Sequence, residues 1–176
     1  MFVDAAQFVL GAYLGWLWCF ARIVVRAPSG RQRFNVLGAL HAITHQLITV
    51  TNDSYINASS VCELLEKLAA LGLSTPMTVV MDNARYQRCR LVVEKATALG
   101  IELLFLPTYS PNLNLIERLW KFVRKECLYA HYYEHFGLFK QAIQNCLAET
   151  TGRHKAALST LLTLEFQTFL SATSDL

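Results

Sequence analysis

Pro76-Met77-Thr78-Val79-Val80-Met81-Asp82-Asn83 decides how this chain folds. A short apolar run, broken by no charge, stands between a proline and a polar turn. An interior strand covered on both faces has that look, whereas a half-exposed strand alternates. A helical pattern follows from about Arg88 to Leu99, with Val92, Ala96 and Leu99 aligned and Gly100 suited to a stop. Ile101 to Leu106, ended by Pro107, is a second strand of the same kind.

The pattern extends in both directions. Upstream, Phe2 to Val9 reads as a strand and Trp16 to Val25 as a second β-rich stretch, followed by the turn Ala27-Pro28-Ser29-Gly30. Phe34 to Ala42 and Gln46 to Thr51 predict a hairpin. Val61, Leu64, Leu65 and Leu68 then mark a helix, with Ser60-x-x-Glu63 as its capping box and Gly72 as its stop. Downstream, Pro107 to Asn114 is a loop. Leu115 to Cys127 is a helix whose apolar side carries Ile116, Leu119, Trp120 and Val123. A last helix runs from about Phe136 to Glu149, and the tail from Thr150 is weakly patterned. The order predicts an α/β domain with a mixed sheet covered by helices.

At 176 residues and 53% apolar, the chain suits one domain with a real core and is too apolar for disorder. The mean hydropathy of +0.30 agrees. A net charge of +3 does not by itself point to nucleic acid. The basic residues cluster, however: Arg22, Arg26, Arg31 and Arg33; Arg85, Arg88 and Arg90; Lys121, Arg124 and Lys125. Five scattered cysteines without a C-x-x-C pair indicate neither a disulfide framework nor a structural zinc site, and fit reduced thiols in a cytosolic protein. Ala5 to Ala21 is free of charge but only 17 residues long, interrupted by Gln7, Gly11 and Gly15, and preceded by Asp4 rather than a basic start. Two strands explain it better than a membrane span of about 20 residues or a signal peptide.

Asp82 stands at a strand's carboxyl end, where ligands gather in open α/β sheets. Taken alone, it also reads as a turn-forming or capping residue. Glu117 has a similar double reading, since Asn114-x-x-Glu117 has capping-box spacing. Asp4, inside Phe2-Val3-Asp4-Ala5-Ala6, could equally be a strand residue paired with an arginine. Together the three acids on separate elements, with Asn83, Asn112 and Asn114 beside them, suggest a divalent-metal site and a phosphate substrate. Hard cations take oxygen ligands and keep several waters, so a few carboxylates suffice. His41-x-x-x-His45 and His131-x-x-x-His135 lack a third ligand nearby and read as structural. No G-x-S-x-G elbow or Gly-rich phosphate loop occurs.

Val80-Met81-Asp82-Asn83-Ala84, followed by Leu106-Pro107-Thr108-Tyr109-Ser110-Pro111-Asn112-Leu113-Asn114-Leu115-Ile116-Glu117-Arg118-Leu119-Trp120, closely resembles the catalytic core of DDE-type transposases. Within that superfamily it looks like the bacterial insertion-sequence branch related to the mariner elements. There the second Asp and the final Glu are separated by 34 residues, as Asp82 and Glu117 are here. Phe2 to Ala6 resembles the strand bearing the first Asp.

The resemblance implies an RNase H-like, mixed five-stranded sheet flanked by helices, with residues 1–128 as catalytic core and 129–176 as a C-terminal helical extension. It implies metal-dependent cleavage and strand transfer on DNA, with Asp4, Asp82 and Glu117 holding two Mg²⁺ or Mn²⁺ ions. Asn83 and Asn114 would order the site, and Arg85, Arg88, Lys121 and Arg124 would hold phosphates. The implied partners are transposon-end and target DNA, a second copy in a synaptic dimer, and a DNA-binding half encoded upstream. The location would be the cytoplasm, at the bacterial nucleoid, with no membrane. Three departures accompany this. Leu115 replaces a common proline, Gln87 replaces a histidine, and the helix-turn-helix modules of relatives are absent from this sequence. An inactive remnant, or another RNase H-like nuclease, is the alternative.

Overall fold

The computed structural model describes residues 1–11, 32–108 and 110–166. Five strands form one sheet: β1 (Phe2–Val9), β2 (Arg33–Leu40), β3 (Leu47–Asn52), β4 (Met77–Met81) and β5 (Ile101–Phe105). Their order is β3-β2-β1-β4-β5. β1 pairs antiparallel with β2, and β2 with β3. β1 pairs parallel with β4, and β4 with β5. The mixed sheet is therefore as the sequence indicates, with β1 at its centre and the apolar run 77–81 inside it. The β-rich reading of residues 16–25 lies outside the described residues.

Helices cover both faces. α1 (Ala58–Ala69) and α2 (Arg90–Ala98) pack on the side of Val3, Leu37, Ala39, Val79 and Met81. On the opposite side, α3 (Ile116–Cys127), α4 (Phe136–Ala148) and α5 (Lys155–Leu161) close over Ala6, Phe8, Phe34, Val36 and Leu40. The period-2 alternation of β1 sorts its residues between these two cores. Asp4 shares its face with Ala6 and Phe8, and so lies on the α3 side.

Three local readings change. The N-cap of α1 is Asn57, whose side chain accepts from Ser60 N–H at 3.1 Å. Ser60 Oγ in turn accepts from Asn57 N–H at 3.4 Å, so the capping box sits three residues before the expected one. α3 begins at Ile116 with no side-chain cap, because Asn114 is engaged elsewhere. The weakly patterned tail contains α5, a short helix that buries Leu158 and little else. The expected stops hold: Gly72 and Gly100 have φ of 60° and 67°, the left-handed region glycine enters at no steric cost.

Candidate functional site

Asp4 and Asp82 come from neighbouring parallel strands. Val3 pairs with Met81, so continuing that register sets Asp4 beside Asp82, one residue past the end of β4. Glu117 is the second residue of α3, a position where a helix dipole favours negative charge. All three are partly buried.

Asp4 feels both of the other acids. The Asp4 carboxyl is raised from the usual 3.8 to about 7, first by burial and then by the negative charges of Glu117 and Asp82. Two hydrogen bonds, from the Ala5 backbone and the Trp120 indole, oppose that rise. The half-buried Tyr86 phenol is also pushed up, by burial and then by Asp4 and Asp82, which brings it into the same electrostatic neighbourhood.

Asn114 ties the parts together. Its Nδ2 donates to Asp82 Oδ1 at 3.1 Å and to the Val3 carbonyl at 3.2 Å, while the residue is only 1% exposed. Its Oδ1 is buried with no hydrogen-bond partner. The reversed amide would point that oxygen at a carboxylate and a carbonyl, both acceptors, so the observed orientation is favoured. The helix-cap reading of Asn114 and Glu117 is thus corrected: the Asn114 side chain bonds an acid and a strand, not the helix end.

Trp120, one helical turn beyond Glu117, donates from Nε1 to Asp4 Oδ2 at 3.0 Å. Gly38 lies opposite Asp4 in the β1–β2 ladder. A Cβ on Gly38 would come within 2.8 Å of the Trp120 ring and 3.0 Å of Ile116 Cδ1. The sequence reading gave Trp120 to the core and passed over Gly38. The available signal was an isolated glycine inside an apolar strand, which marks close approach.

The remaining expected residues are more dispersed in role. Asn83 is half-buried just after Asp82; Arg85 and Arg88 follow it as exposed residues. Lys121 is exposed on α3. Arg124 is partly buried with its guanidinium 5.5 Å over the Phe8 ring, so it packs on the core as well as carrying charge. Gln87 is 1% exposed, with Oε1 3.4 Å from Ala84 N–H, a position inside the turn. His41 Nδ1 accepts from Ile43 and Thr44 N–H at 3.1 Å each and orders the β2–β3 turn.

Arg118 was also overlooked. Its Nη1 donates to the carbonyls of Thr163 (2.8 Å) and Leu161 (3.2 Å), and its Nη2 to that of Glu165 (2.6 Å). The guanidinium lies 5.5 Å from the Phe166 ring. The residue beside Glu117 therefore straps the segment after α5 onto α3.

The donor set is chemically uniform: three carboxylates, a carboxamide and no His or Cys. Such a set suits a hard divalent cation, and the charge that raises Asp4 is the charge a cation would neutralise. Among the described residues, no group of three or more His, Cys, Asp or Glu is set to enclose a metal ion. Partly hydrated cations that share few protein ligands fit this arrangement; a closed structural site does not.

The fold is that of transposase and integrase catalytic cores, RNase H-like. The pre-cleavage Mos1 transpososome aligns with a TM-score of 0.63 at 13% identity, covering 94% of this chain and 56% of that one. The Mos1 mariner paired-end complex with Mn gives 0.63 at 12%, covering 94% and 56%. The simian T-cell lymphotropic virus intasome with the PP2A regulatory subunit B56 gamma gives 0.57 at 14%, covering 86% and 47%. The chain thus spans about half the length of these solved chains. No curated protein sequence matches it. Residues 1–139 match the family model of the DDE superfamily endonucleases, and the chain belongs to that family.

Proposed function

We propose that this chain is the catalytic domain of a DNA transposase from the bacterial insertion-sequence branch related to mariner elements. Asp4, Asp82 and Glu117 would be its catalytic carboxylates and would hold two Mg²⁺ or Mn²⁺ ions. The observation that carries the reading is the convergence of three acids in a member of an endonuclease family: Asp4 on β1 beside Asp82 just after β4, with Glu117 of α3 near enough to raise the Asp4 carboxyl. When bound, such ions supply a polarised attacking oxygen and charge compensation at the leaving oxygen of a phosphodiester.

The chain's own residues do the rest. Asn114 keeps one oxygen of Asp82 fixed, leaving the other for ligation. Asn83, next in the chain after Asp82, would order the same turn. Arg85, Arg88 and Lys121, with Arg124 beside them, hold phosphates without reading sequence. Two reactions share the site: hydrolytic nicking at a transposon end, then attack of the freed 3′-hydroxyl on target DNA. Residues 1–128 would form the catalytic core and 129–176 its C-terminal extension, whose described part carries α4 and α5. A second copy completes the synaptic assembly. Among the described residues no helix is long and apolar enough to cross a membrane. A protein acting on chromosomal DNA would lie in the cytoplasm, at the nucleoid.

The test is cleavage by the purified chain, with Mn²⁺, of a duplex carrying the inverted repeats that flank its gene. Metal-dependent nicking that Asp82→Asn abolishes is the expected result. Equal activity in Asp82→Asn would overturn the assignment; no cleavage by the wild type favours the inactive remnant, and preferential cleavage of an RNA–DNA hybrid favours another RNase H-like nuclease.

A further inference from the structure

We infer that Trp120 is a positioning residue for Asp4, and that Gly38 is the opening that lets it act. The inference rests on the proposed metal site. An indole N–H can only donate, so it holds a carboxylate by one oxygen and leaves the other unclaimed. Here the indole takes Oδ2 at 3.0 Å, beside a second donor, the Ala5 backbone N–H, and the remaining lone pairs of the carboxylate are left for a cation. A carboxylate in mid-strand has no loop or helix end to fix its rotamer, so these two donors set it, and the indole is the one that comes from a side chain.

The donor is itself rigidly held. Trp120 is 1% exposed. Phe8 meets its ring edge-on, with centroids 6.3 Å apart and planes at 81°. Across the ladder from Asp4, Gly38 presents no side chain, and the far edge of the indole fills the space a Cβ would need. Packing therefore fixes the indole, and the indole orients the acid. Partners of this kind around a metal ligand commonly alter metal affinity 10- to 100-fold.

A buried indole also seeks an acceptor simply to satisfy its N–H. Mn²⁺ affinity separates that purely structural role from positioning. Calorimetric titration of the full chain with Mn²⁺ is expected to show about tenfold weaker binding in Trp120→Phe. Gly38→Ala, which displaces the ring, is expected to weaken binding in the same direction. In an Asp4→Asn background, Trp120→Phe is expected to add nothing, since the residue it positions is gone. Where Trp120→Phe unfolds the chain, benzothienylalanine at position 120 keeps the ring's shape and removes only the donor. Unchanged affinity in a folded variant lacking the donor, or an equal effect with and without Asp4, would overturn the inference. Wild-type protein that binds Mn²⁺ in a manner lost in Asp82→Asn keeps the metal reading intact whichever way Trp120 falls. Wild-type protein that binds none overturns both.

Discussion

Asp4 makes the chain's stability depend on pH in an unusual direction. Its carboxyl titrates near 3.8 when unfolded and about 7 when folded. Below the lower value both states are protonated and the folded state keeps its full advantage. As pH rises to 7 the unfolded chain releases the proton first, so stability falls across that window and is lowest above it. At about 1.4 kcal/mol per pH unit over the roughly three units between the two values, the loss is on the order of 4 kcal/mol. In metal-free buffer, Asp4→Asn is expected to unfold at higher denaturant than wild type at pH 8 and to lose that lead at pH 4. Mn²⁺ should narrow the pH 8 difference by stabilising the wild type. At this scale the acids were legible because their chain positions are unusual. The partners were not: Asn114 has the spacing of a cap, and only tertiary structure sends its amide to Asp82 and Val3 instead.

α3 is the element on which site and core meet. One side of it buries Ile116, Leu119, Trp120 and Val123 against the sheet, at the helical spacing visible in the sequence. Its polar residues divide the remaining work, since Glu117 faces the acids and Arg118 grips the segment 161–166. Arg118→Met is expected to leave the strands protected while raising amide hydrogen exchange at residues 161–166. Equal exchange in that segment would show that other contacts hold it. The strands were readable from their apolar runs and the long helices from their periodicity. α5 was not, because a short helix with Leu158 as its one buried side chain has no period to display. The cap of α1 was misplaced for a related reason: Asn57 and Ser60 both cap well, and local sequence does not choose between them.

Across the whole molecule, the exposed Arg85, Arg88 and Lys121 belong to the turn after β4 and to α3, the elements that also carry Asp82 and Glu117. Net charge is small, so DNA affinity should depend on this local set rather than on the overall field. Replacing the three with alanine is expected to lower the slope of log affinity against log salt by about 0.9 for each phosphate contact removed. Fluorescence anisotropy with duplex DNA across a salt series measures it, and an unchanged slope would place the DNA on another face. The strand order itself could not be read from the run 77–81. That run announces an interior strand but does not name its neighbours, and the pairing with β1 joins residues far apart in sequence.

That distant pairing governs when the protein becomes competent. β1 is made first, yet its Asp4 face is closed by α3 and its ladder is completed by β4. During vectorial synthesis Asp4 therefore waits through most of the chain before Asp82, and later Glu117, can join it. Pairings of such long range form late, after local helices and hairpins. A nascent or partly folded chain holds single carboxylates, and the three-acid cluster, with the site proposed on it, arrives only with the finished fold.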